Sequence, residues 1–361
     1  MKYKKIIIPG VFVLALLLYG LFADFKNDKY VKIGVTLPLS GNLSMYGESI
    51  LNGINLAINE QNNSSDPLKI DLIVGNNEGS ANKAVSDVNN FVYVDKVSAV
   101  YNSFESLGLA AREIVEKTHV PMIMSTTYVL TAKDSPKFTF RDYWNFKNIG
   151  NDFNIILKKD SVSSVKILAQ NDNSYNDFKS DIVQDGVELG REEKFNYGEK
   201  DFRTSLSKLN ISSNDNLIVY AFPVEASLIV KQLIELGVKP NRLLITEATE
   251  YPIMSDSKSV SYLSEIGAYS YVSSEILDNQ DFVSKYKQAY KINPRADSVY
   301  AYEDSRMLIG AIKKCDKFEY KIEDQRVCIK DEIKGGFDEF NNINRNVPIV
   351  KFGGGRFSVI K

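Results

Sequence analysis

The feature that most constrains this chain is a strand, a turn and a helix laid end to end near its start. The stretch 32–41 reads KIGVTLPLSG and runs on through Tyr46 and Gly47 into a helical pattern over 48–61. Residues 31–37 carry β-branched and apolar side chains with no interior breaker, which predicts a strand. Pro38 and Gly41 supply the turn. Ile50, Ile54, Ala57 and Ile58 then recur at helical spacing, while Glu48, Asn52, Asn55, Asn59 and Glu60 stay polar. The loop 39–47 is thereby placed beyond the carboxyl end of the strand, where open α/β sheets hold their ligands.

The same alternation continues. Strands are expected at 69–74, 97–101 and 120–124, with helices at 80–95 and 106–117 between them. A short β-like piece at 138–142 leads into a helix at 146–158, and the pattern then starts again. Strands are expected at 165–169, 189–195, 217–222, 242–246 and 266–271. Helices are expected up to 185 and at 201–209, 225–236, 281–290 and 296–313. The tail carries the triple glycine Gly353–Gly355, a hairpin signal. Strands alternating with helices mean right-handed parallel βαβ units with buried strands, here in two successive sets.

Several function classes are weakened by composition. At 361 residues the chain is long enough for two ordinary domains, and 44% hydrophobic with 25% charged residues describes a globular protein. A net charge of −2 leaves no basic excess for nucleic acid. One histidine, His119, and two cysteines give no metal-ligand spacing, and no metal or other cofactor is implied. No glycine-rich phosphate loop or nucleophile elbow is present, which argues against an α/β enzyme. His119 precedes Val120 and Pro121 at a strand entry, the edge remote from a ligand, and reads as structural. Cys315 and Cys328 lie thirteen positions apart. A disulfide between them is permitted in an exported protein, but its geometry is unreadable at this level.

Export is read from the start of the chain. Residues 1–5 are basic and 6–22 form an apolar run, so 1–24 is a signal peptide or a membrane anchor. If uncleaved, 6–22 contacts the membrane. Both readings leave the lysines inside and the remainder outside the cytoplasm.

The segment KIGVTLPLSGNLSMYGESILNGINLAINE resembles the opening of periplasmic binding proteins of the leucine/isoleucine/valine-binding type, the substrate-binding components of ABC importers. The resemblance extends over nearly all of 32–361. It implies a type I periplasmic binding fold: two Rossmann-like α/β lobes with parallel sheets, joined by a three-crossing hinge. The lobes would be 29–142 plus 276–333, and 143–275 plus 334–361. A monomer that closes on a small ligand and passes it to an ABC permease follows. An anchored sensor of the same fold, signalling to a membrane partner, is the alternative.

The resemblance also points to five loops. Tyr46 matches an aromatic position against the ligand. Ser103 and Ser106 fit the hydroxyls that hold a carboxylate at a helix start. Glu105 stands where a serine is usual, and either faces the cleft or complements its own helix dipole. Ser125, Thr126 and Thr127 match a ligand-binding turn. Phe222 matches an aromatic wall, with Phe104, Tyr101 and Tyr251 near the same loops and Tyr175 as a further aromatic candidate. Glu247 matches the acid that takes an ammonium group, so an amine-bearing ligand, an amino acid or derivative, is expected. Arg141 belongs to the hinge.

Overall fold

The structure, a computed structural model, describes residues 29–316 and 321–360. The basic and apolar run 1–24 lies outside the described residues, so the signal-or-anchor reading is not addressed by the fold.

Five parallel strands follow one another through the first part: β1 (Lys29–Leu37), β2 (Leu68–Asn76), β3 (Ala99–Ser103), β4 (Met122–Ser125) and β5 (Thr139–Tyr143). They stand in the order β2-β1-β3-β4-β5. The next set is β6 (Ser164–Gln170), β7 (Glu188–Phe195), β8 (Asn216–Tyr220), β9 (Arg242–Ile245) and β10 (Tyr269–Tyr271), ordered β7-β6-β8-β9-β10. The two sheets share one winding, and each reverses direction beside its first strand. Such a reversal opens a crevice at the carboxyl ends of the strands. The fold is the type I periplasmic binding fold, two α/β lobes with mostly parallel sheets.

Burial explains why the strands read as unbroken apolar runs. All five residues of β3 and all four of β4 are buried, because helices cover both faces of a parallel sheet. Each fully buried Val or Ile contributes about 1.5–3 kcal/mol relative to exposure. Helix Ser44–Asn62 packs closely on helix Ala296–Lys314. A Cβ on Gly53 would lie 2.0 Å from the Ser298 carbonyl oxygen, so the glycine is required for this approach. That close packing carries the start of the second helix up to the first, where Ser49 Oγ donates to Asp297 at 2.5 Å.

Three strands remain, β11 (Asn342–Asn344), β12 (Ile349–Gly353) and β13 (Arg356–Val359). The last two form the expected antiparallel hairpin on the second sheet, turning at Gly354 and Gly355 with φ of +61° and +75°. The expectation that 334–361 lies wholly in the second lobe needs correction. Strand β11 pairs in parallel with β5 and belongs to the first sheet. Its sequence, Asn-Ile-Asn, carries no β signal, and side chains hold it instead. Asn342 Oδ1 accepts from the Leu130 amide at 2.9 Å, and Arg141 donates to the Ile343 carbonyl at 2.9 Å.

Other boundaries move as well. The strand expected at 266–271 begins at Tyr269, because Ile266 ends a helix, Ser257–Ile266, that the pattern did not show. Helix Ile322–Lys334 was also not anticipated, and Cys328 within it is bonded to Cys315 at the end of helix Ala296–Lys314. His119 ends helix Glu105–Thr118 in the left-handed conformation and stacks on Phe138 at 4.9 Å.

The lobes are joined where the chain passes from β5 to the second sheet, from β10 back, and from β11 to β12. Arg345 sits at the third crossing and reaches the other two. Its Nε donates to Asp142 at 2.7 Å, beside the first crossing, and Nη1 lies 3.3 Å from Glu275 at the second. Nη1 also donates to Glu303 at 2.7 Å.

Candidate functional site

A cavity of about 250 Å³ lies between the lobes, at the carboxyl ends of both sets of strands. Tyr46, Ser103, Phe104, Glu105, Ser106, Ser125, Thr126 and Thr127 line it from the first lobe, and Phe222 and Glu247 from the second. Tyr175, expected with them, is elsewhere. Its ring packs on Tyr220 at 5.2 Å and its hydroxyl donates to Glu192 at 2.6 Å, which turns it into the second lobe. Asp172 and Asn173, just ahead of it in the chain, take the cavity position. Tyr101 and Tyr251 are not among the lining residues either. Tyr101 is buried in the first core, and Tyr251 offers only its carbonyl to Arg295, at 3.0 Å.

In the first lobe, the wall is set by the loops after β3 and β4. Phe104 has φ +63°, a left-handed backbone that is uncommon for a bulky side chain. It is fixed because the Phe104 amide donates to the Ser125 carbonyl at 3.0 Å, tying the two loops together. Ser103 Oγ is buried and has no hydrogen-bond partner, nor has the Tyr46 hydroxyl. Beneath them Arg141 holds the 125–127 loop, donating through Nε to the Thr126 carbonyl at 2.8 Å. Burial lowers its pKa to about 10. Arg141 is thus a buttress, removed from the cavity.

In the second lobe, the loop after β9 presents Glu247. Thr246 Oγ1 donates to the Ala221 carbonyl at 2.7 Å, and the Ala248 amide donates to Ser270 Oγ at 3.1 Å. Pinned on both sides, Glu247 takes φ +61°, a conformation that costs about 1–3 kcal/mol when held away from glycine. Its carboxylate is buried and accepts from the Tyr271 hydroxyl at 2.9 Å. Burial first, and then the neighbouring Glu250, push its pKa up to about 8, against the pull of Arg295. Burial likewise raises Glu250 to about 7, again opposed by Arg295.

The lobes touch across the cleft. Thr127 Oγ1 and Ser174 Oγ are 2.8 Å apart, and Asn173 Nδ2 donates to Glu105 at 3.2 Å. The Tyr197 hydroxyl donates to the Asn42 carbonyl at 2.9 Å. Tyr46 meets Phe104 and Phe222 edge-on, with ring centroids at 5.9 and 6.1 Å. Glu105 therefore faces the cleft, and burial raises its pKa.

With that geometry in place, the sequence matches the model of the periplasmic binding proteins over residues 30–335. This chain belongs to the periplasmic binding protein family. A curated relative is "Leu/Ile/Val-binding protein homolog 2" of Brucella abortus (strain 2308), 26% identical over 336 residues that span 85% of this chain and 84% of the relative. Among solved structures, the branched-chain amino acid transporter substrate binding protein LivJ of Streptococcus pneumoniae, in complex with isoleucine, superposes with a TM-score of 0.75 at 22% identity. That match covers 92% of this chain and all of the other. A solute binding protein of R. palustris in complex with benzoate gives 0.76 at 17% identity, over 92% and 96% of the two chains.

This periplasmic binding protein has cavity residues that sequence reasoning missed: Ile50, Leu109, Tyr143, Asp172, Asn173, Arg295 and Asp297. Arg295 is the most consequential. Its Nε donates to Asp297 at 3.1 Å and its guanidinium lies over the Tyr46 ring at 4.7 Å. The charge is met by Asp297 and by Glu250, whose carboxylate lies 3.4 Å from the Ala296 amide. The only signal in the sequence was the start of a helix at Ala296. Nothing there announced that the start would face a cleft. Among the described residues of this periplasmic binding protein, no helix is long and apolar enough to cross a membrane.

Proposed function

We propose that this protein is an extracytoplasmic solute-binding protein that closes on a small amine-bearing ligand, an amino acid or derivative, and delivers it to an ABC permease. One observation carries the ligand reading. Glu247 is a buried carboxylate on the cavity wall whose hydrogen-bonding partner is a single phenol. A carboxylate so far removed from water needs a cation or more donors to stay ionised. An ammonium group meets that need, and the Phe222 ring on the same cavity wall offers it a cation–π surface.

Family membership supports the binding role, and the amino-acid relatives support the ligand class. A cavity of about 250 Å³ fits a ligand of that size. The hydroxyls of Ser103 and Tyr46, buried without partners, offer further polar contacts. Ser106, Ser125, Thr126 and Thr127 stand on the same wall.

The test is calorimetric titration of the exported domain with amines, amino acids and their uncharged isosteres. Binding confined to ligands with a free amine, and weakened by Glu247→Gln, is the expected result. Tight binding of an isostere lacking the amine removes the assignment. Small-angle scattering on the same samples should give a smaller radius of gyration with ligand bound.

A further inference from the structure

The cavity wall carries four carboxylates, Glu105, Asp172, Glu247 and Asp297, against one guanidinium, Arg295. Arg295 and Asp297 are bonded to each other, which leaves three acids. Glu247 is buried deep in the cleft. Glu105 and Asp172 are half-buried and come from opposite lobes. Their end of the cavity opens outward, since Glu105, Thr127 and Asn173 also line an adjoining surface groove.

We propose that the ligand carries two cationic groups, one at Glu247 and the other between Glu105 and Asp172. The inference rests on the amine-binding reading above and names the class within it: a short aliphatic diamine or an amino acid with a basic side chain. With the lobes in contact, Asn173 donates to Glu105 at 3.2 Å and its neighbour Asp172 lines the same cavity, so a closed cleft brings the two acids together. Like charges at short range oppose that closure unless a cation lies between them.

Hydrogen bonds at this end leave room for the role. Asp172 Oδ1 accepts from the Ser174 amide at 2.8 Å and from the Tyr220 hydroxyl at 3.1 Å, while Glu105 accepts from Asn173 at 3.2 Å. All of these donors are neutral. A second observation points to a ligand independently of the acids. Ser103 Oγ, two residues before Glu105, lines the same cavity at 1% exposure without a hydrogen-bond partner. The same cavity wall carries apolar Ile50, Leu109 and Phe222, which suits a methylene chain.

The experiment compares α,ω-diamines of three to six carbons with monoamines of equal length, and lysine with leucine, by titration calorimetry on the exported domain. The dicationic member of each pair should bind about tenfold more tightly or better, the order of one additional charge pair. In the double variant Glu105→Gln, Asp172→Asn that ratio should fall toward one, with thermal unfolding of the free protein used to confirm that the variant is folded. If leucine or a monoamine binds as tightly as its dicationic counterpart, the second subsite is overturned while the amine reading stands. If no amine binds at all, both fall.

Discussion

Arg345 at the hinge and Arg295 in the cleft each stand among carboxylates drawn from both lobes. Arg345 meets Asp142, Glu275 and Glu303, with Asp304 at 3.9 Å. Arg295 meets Asp297 directly and lies near Glu250 and Glu247. At the hinge the guanidinium is the hub. From the third crossing it contacts acids beside the other two, and it holds Asp142, which is fully buried, in a two-point pair. In the cleft the guanidinium spends its bonds on Asp297 and on the Tyr251 carbonyl, leaving Glu247 to a tyrosine. One arrangement pairs Asp142, Glu275 and Glu303 with a single guanidinium and keeps its unbonded acid, Asp304, fully buried. The other leaves an acid facing a cavity. The same residue types thus make a joint in one place and a cavity wall in the other.

The largest effect expected from breaking this contrast is on stability. Arg345→Met leaves Asp142 buried without its partner and should cost about 3–5 kcal/mol in urea unfolding at neutral pH. Arg295→Met should cost less, because Asp297 keeps the Ser49 hydroxyl as a donor and Glu247 and Glu250, already raised to about 8 and 7, take up protons readily. Equal losses in the two variants would show the contrast to be mistaken.

Next in size is the effect on binding. Glu247→Gln keeps the shape and removes the charge, and should weaken an amine ligand by about 2–5 kcal/mol in calorimetry. At about pH 4, where Glu247 is protonated in both states, the free protein should unfold at nearly its original denaturant midpoint, and at higher pH the variant should be the more stable of the two.

A pH series sharpens the comparison further. Glu247 has a folded pKa of about 8, above its ordinary carboxylate value, because of burial and Glu250. Between the two values the folded state holds a proton that the unfolded state has lost. This contribution is therefore complete below about pH 4 and is lost as pH rises toward 8. Glu250, raised to about 7, acts in the same direction. Stability of the ligand-free protein should fall over this window by up to about 1.4 kcal/mol per pH unit for each group. Glu247→Gln should flatten the slope in a urea series from pH 5 to 8.

The smallest effect belongs to the closing contact. Thr127→Val removes the hydrogen bond to Ser174 and should lower ligand affinity by about 0.5–1.5 kcal/mol. Core stability should remain, because the contact joins the lobes at the cleft and not within either core.

Much of the fold was legible because its signals are local. The strand 31–37, the helix after Tyr46 and the repeated alternation each follow from side chains a few positions apart. The loops at strand ends carried Ser103, Glu105, Thr127, Phe222 and Glu247 into one cavity, as a doubly wound sheet requires. Strand β11 was not legible. Its three residues are held by Asn342 and Arg141 side chains across more than two hundred positions, which no local pattern records. The helices Ser257–Ile266 and Ile322–Lys334 were missed as well.

By itself, the sequence determined the alternation of strands and helices, the apolar runs that bury them and the acids available at strand ends. Those depend on spacing and on the preferences of single residues. Only the tertiary structure decided which acids would be partnered. Gly53 lets two helices approach until Asp297 reaches Ser49, and this brings Arg295 over Tyr46. The loop pinned by Thr246 and Ser270 turns Glu247 inward to a single phenol. A carboxylate's protonation depends on which charges and donors surround it and how far it stands from water, and those neighbours come from distant parts of the chain.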